Sequence, residues 1–114
     1  MAKMREKNTE NSYNGWSNYD TWCFKLWLDN EQKTQEIVLN EVKKAHKKYI
    51  KVSEAIFDIQ KFLEANALNN APQLENGFYS DVLSASLRSI NYYQIADAYY
   101  WDYIENFNLD KKTV

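Results

Sequence analysis

Asn14–Glu31 reads NGWSNYDTWCFKLWLDNE and holds three of the chain's four tryptophans beside a helix-start signal. Ser17 followed three residues later by Asp20 has the spacing of a capping box. In that arrangement a hydroxyl accepts from a first-turn N–H, while an acidic residue reaches back and suits the positive helix end. A helix is therefore expected to start at Ser17. At about 100° per residue Tyr19, Trp22, Cys23, Leu26 and Trp27 share one stripe, with Phe24 and Leu28 almost opposite. A helix apolar on two sides is expected to be sandwiched between neighbours, which makes Trp16, Ser17, Asn18, Tyr19, Asp20, Trp22 and Trp27 a structural motif. The alternative is that one side is an exposed docking patch.

The rest of the composition agrees with helices. Two Gly and one Pro in 114 residues, against 45% hydrophobic and 16% aromatic content, leave too few turn formers for a many-stranded β protein. The expected fold is all-α: a compact bundle of about four helices around one long central helix, continuous or bent, in a single domain over 14–108. Met1 to Tyr13 is polar and without periodicity and reads as a disordered tail, and 109–114 as a frayed end. No run is apolar enough to span a membrane or to form a signal peptide. The lone Cys23 falls on the predicted core stripe and has no intrachain partner, which fits a reducing cytoplasm.

Downstream of the first helix the spacing becomes regular. Val38, Val42, Ala45, Tyr49, Val52, Ile56, Ile59 and Leu63 alternate steps of four and three, a heptad seam that keeps phase and argues for one long helix over 31–68. Its weak point is Ile50–Glu54, where two β-branched residues precede a Ser-Glu restart signal. The seam is expected to pair within the chain rather than with a second copy. On its polar side Lys43, Lys44, Lys47, Lys48 and Lys51 surround His46, the sole histidine, and read as a solvated face. Ala67–Gly77 is the expected reversal, with Pro72 blocking continuation. A further helix follows, and Asn91 with Gln94 signals the start of the last one.

In that last helix Trp101 falls on the polar side, between Asp97 and Glu105. A tryptophan there needs a cover or a partner, so Trp101, Tyr100, Tyr93, Asp97 and Glu105 are the expected partner-binding surface.

The pattern N-G-W-[ST]-N-Y-[DE]-T-W-x(4)-L-W-x-x-N, with FYSDVLSASLRSINYYQIADAYY further on, resembles a family of small uncharacterised phage and plasmid proteins that share an NYETW-type motif. Asn14, Gly15, Trp16, Asn18, Tyr19, Thr21, Trp22, Leu26, Trp27 and Asn30 match the first pattern, and Asp20 stands where Glu is commoner. The resemblance implies a mobile-element origin and a compact helical fold, and it carries over no catalytic residue.

Chemistry is poorly represented in the chain. One Cys and one His on different predicted helices make no nucleophile–base pair and no zinc site, and no glycine-rich phosphate or dinucleotide loop is present. No catalytic residue, metal or cofactor is expected. The formal net charge of −2 provides no global field for nucleic acid or an anionic membrane. The leading expectation is a non-enzymatic protein that binds and inhibits a host defence protein. Behind it stand a nucleic-acid accessory factor using the Lys43–Lys51 patch and a structural homodimer built on the heptad seam.

Overall fold

The computed structural model describes residues 12–107, and among them the chain folds into five α-helices. They are α1 (Tyr19–Asn30), α2 (Gln32–Lys48), α3 (Val52–Asn70), α4 (Phe78–Ser89) and α5 (Tyr92–Asn106). The expected all-α class holds. The expected tail and frayed end lie outside the described residues, apart from Ser12 and Tyr13, and Tyr13 already takes part in a turn.

One expectation is corrected. The helix foreseen over 31–68 is two helices, because Tyr49 and Lys51 take extended backbone angles. The Tyr49 N–H still closes on the Ala45 carbonyl at 3.0 Å, and Ala55 restarts the ladder on Lys51. The physical reason lies in the seam itself. A straight helix would leave much of that apolar stripe in water, whereas folding back at Ile50 points both halves at one core. Glu41 of α2 and Asp58 of α3, each some two turns from the break, face one another across the resulting hairpin. All eight seam residues except the half-buried Tyr49 are buried, so the seam is used within the chain and offers no face for a dimer.

The most extensive helix–helix interface joins α3 to α5, where Ile56, Ile59 and Leu63 meet Ile95, Ala96, Tyr100 and Ile104. Burying each such aliphatic side chain contributes about 1.5–3 kcal/mol relative to leaving it exposed. α2 covers the other side with Val38, Val42 and Ala45. α1 lies across α2, α4 and α5 and inserts Leu28, with Phe24 packed alongside. α4 is different: it packs mainly against α1 and buries none of its residues.

Candidate functional site: the two faces of the first helix

The entrance to α1 begins with a tight turn. Tyr13 and Trp16 pair their backbones at 2.9 and 2.7 Å around Asn14 (φ 48°) and Gly15 (φ 88°). Two consecutive positive φ values are the signature of a type I′ turn, which Asn-Gly adopts at least cost. The Asn14-Gly15 dipeptide is a local turn signal independent of the helix periodicity. The turn brings the Tyr13 ring to 5.3 Å from Tyr19 and 4.9 Å from Trp22, and these two rings are 5.5 Å apart.

The capping residue is Asn18, one position later than expected. Its Oδ1 accepts from the Thr21 N–H at 2.8 Å and from the Thr21 hydroxyl at 2.7 Å. Ser17 is thereby released from capping. Its backbone N–H and its hydroxyl both donate to Gln94 Oε1, at 2.9 and 2.8 Å, and the hydroxyl accepts from Asn91 Nδ2 at 2.9 Å. Asn91 caps α5 as expected, accepting from the Gln94 N–H, while its own backbone N–H donates to Thr21 Oγ1 at 2.8 Å. Asn18 Nδ2 completes the set by donating to the Ser89 carbonyl and hydroxyl. Two helix starts some seventy residues apart are thus joined through their caps. The stretches that carry the two sequence motifs are one structural unit, and Thr21 at its centre is fully buried.

The inner face of α1 continues with Lys25, whose ammonium pairs with Asp29 and sits 4.7 Å from the Tyr99 ring centroid and 5.7 Å from that of Trp16. The Tyr99 hydroxyl donates to Asp29 Oδ1 at 2.6 Å. Burial, then the neighbouring Asp29 carboxylate, hold the Tyr99 phenol far above its ordinary value. Trp16 is half-buried and packed against the core.

The outer face departs from the sandwich expectation. Tyr19, Leu26 and Trp27 are exposed, Trp27 to 69%, and Trp22 and Cys23 are only half-buried. The side that faces the core is Thr21, Phe24 and Leu28, because the cap-to-cap bonds turn Thr21 inward and carry the tryptophan stripe outward. Cys23 is therefore not a core residue. It stands beside Tyr19, whose phenol is pushed up chiefly by its hydrogen bond with that thiol. Asp20 is half-buried in the first turn, where its charge suits the helix dipole.

Within the surface expected around Trp101, Tyr100 is corrected. Tyr100 is fully buried, and Trp101 is half-buried with its ring 5.2 Å from Tyr100 and its Nε1 donating to Asp97 Oδ1 at 3.2 Å. The chain itself supplies the cover that a tryptophan on this side needs. Tyr93 and Glu105 are exposed at the two ends of an i, i+4 row whose middle members, Asp97 and Trp101, are half-buried, and the buried Tyr100 lies outside that row. His46 is not a surface residue either: its half-buried ring packs 5.7 Å from Tyr103 and 6.1 Å from Tyr100, fastening α2 to α5. Lys43, Lys44, Lys47, Lys48 and Lys51 are all exposed. Among the described residues no cluster of three or more His, Cys, Asp or Glu is placed to hold a metal, and no helix is long and apolar enough to cross a membrane.

No curated protein and no solved structure matches the chain. One family model does, over residues 9–110, which takes in both motifs, the cap-to-cap unit and all five helices: the chain belongs to the family of unknown function DUF7249.

Proposed function

We propose that the protein is a non-enzymatic interaction module that uses the outer face of α1 to bind and inhibit a host protein. The observation that carries this reading is the exposure of Trp27 beside Leu26, on a helix whose inner face is held rigidly by hydrogen bonds to the start of α5. Tryptophan and tyrosine offer a large amphipathic contact area at little entropic cost and dominate binding hot spots. Tyr13, Tyr19 and Trp22 pack ring to ring at one end of the face, so it is organised before any partner arrives. The likeness of the NGWSNYDTW stretch to phage and plasmid proteins supports a host protein as partner, with a defence system as the natural target.

Affinity capture from a host lysate by the full chain, compared with Trp27→Ala, tests the reading. The parent should retain a host protein, and the variant should retain at least about thirtyfold less, the scale of a hot-spot loss. Equal capture by the two would remove α1 from consideration. If a nucleic acid is retained instead, and replacing Lys43, Lys47 and Lys51 by Gln abolishes that retention, the lysine face of α2 is the working surface.

A further inference from the structure

We infer that α4 docks against α4 of a second copy of this chain, as an antiparallel pair about a two-fold axis at Val82. This is independent of the α1 face proposed above.

α4 is a twelve-residue helix without a buried residue, and its N-cap, Gly77, supplies no side-chain hydrogen bond. Helices of this length are marginal in water, and in proteins they are held by burial of an apolar face. Here one side is half-buried through Leu83 and Leu87, but a second apolar side is unpartnered: Phe78, Tyr79 and Val82 are 73%, 76% and 46% exposed. At 100° per residue Phe78, Val82 and Ala85 form one stripe bordered by Tyr79 and Ser86, and Ala85 is also exposed. A face that the chain leaves in water at all times is best covered by what is present at all times, another copy of the same chain.

The order of residues along the stripe also selects a second copy. It runs from large to small, Phe78 and Tyr79 at the N-terminal end and Ala85 and Ser86 at the other. A two-fold axis at Val82 reverses one copy against the other and lays each large end over the other's small end, the self-complementarity an isologous contact requires. Charge agrees. Glu75 before the helix and Arg88 near its end make no ion pair among the described residues, and the antiparallel arrangement brings each near its opposite in the other copy.

The area fixes the strength expected. At roughly 150–250 Å² per aromatic side chain, the three exposed apolar residues leave on the order of 400 Å² in water. That is about half of the roughly 800 Å² per partner of a standard interface, so the dimer should be weak and concentration-dependent.

Sedimentation equilibrium of the full chain, from low micromolar to submillimolar concentration, should show a mass that rises from 13.6 kDa towards twice that value. Ala85→Glu, at an exposed site, should weaken association at least tenfold while leaving the circular dichroism spectrum unchanged. Arg88→Glu should weaken it too, and Glu75→Arg in the same chain should restore it. A parent that stays at monomer mass throughout, or association that survives both Ala85→Glu and Arg88→Glu, overturns the proposal. If Ala85→Glu loses helicity, the Arg88→Glu and Glu75→Arg pair decides the matter alone.

Discussion

The backbone N–H of Asn91 donates to the hydroxyl of Thr21 at 2.8 Å, and that hydroxyl in turn donates to Asn18 Oδ1. A single buried side chain therefore satisfies the helix cap of α1 and an N–H at the entrance to α5. Valine has the same shape as threonine and can neither accept nor donate. Thr21→Val should thus strand the Asn91 N–H and cost roughly 2–3 kcal/mol, whereas Thr21→Ser should cost less than about 1 kcal/mol. Urea unfolding of the two variants measures the difference, and equal stabilities would show that the hydroxyl is dispensable.

Ser17 and Gln94 form the second strand of this connection. Gln94 Oε1 accepts two hydrogen bonds from Ser17, so the two side chains act as a unit. Ser17→Ala and Gln94→Ala should each destabilise the fold by about 1 kcal/mol, and the double variant should cost little more than either alone. Additive losses in the double-mutant cycle would mean that the pair is not coupled.

Glu41 faces Asp58 across the α2–α3 hairpin. Burial, and then the hydrogen bond with Asp58, raise its carboxyl above the ordinary range, with Lys44 at 3.7 Å working in the opposite direction. A raised folded-state value means that the protonated form favours folding. This contribution is present below the unfolded value and is lost as pH rises through the folded one. At neutral pH the charged pair is thus a net cost. Glu41→Gln should raise Tm by roughly a few degrees at pH 7, and the gain should disappear in acid. Thermal melts across that range settle it, and a variant less stable than the parent at pH 7 would refute this account of the pair.

Besides Tyr19 on the surface, three phenols are pushed upward: Tyr99 by burial and then by Asp29, Tyr92 by burial and then by Glu64, and Tyr100 by burial. The folded chain holds these protons more tightly than the unfolded one. Their contribution is complete below about pH 10, the ordinary phenol value, and is lost as pH rises above it. Each adds a slope of at most about 1.4 kcal/mol per pH unit, confined to the range between its unfolded and folded values. Tyr99→Phe should lower stability at pH 7, since Asp29 loses a donor, and flatten the alkaline decline. Tyr100→Phe should be neutral or stabilising by up to about 1 kcal/mol, because its buried hydroxyl finds no hydrogen-bond partner among the described residues.

The periodic parts of this fold are legible in the sequence, and the parts decided by partner choice are not. The seam from Val38 to Leu63 identifies core residues correctly, since burial follows spacing. The same spacing is silent on the break at Ile50, because two helices folded back on each other can keep the register of one. The Asn91 cap is local and readable. The Ser17 cap is misread because its hydroxyl prefers Gln94, a residue distant in sequence, and leaves the neighbouring Asn18 to cap. Trp27 and Trp101 exchange expected roles for a related reason. Hydrophobicity says that a tryptophan should be covered, and only the packing of α1 against α4 and α5 decides which one is.

The central claim is that α1 has an inner face that holds the fold and an outer face that is free to bind. Melting temperature and host-protein capture, measured side by side for Trp27→Ala and Thr21→Val, test it most directly. The account predicts that Trp27→Ala melts within about 2 °C of the parent, as expected for an exposed side chain, and loses capture, while Thr21→Val melts several degrees lower. A Trp27→Ala protein that melts as early as Thr21→Val, or that captures its partner as well as the parent does, would contradict it.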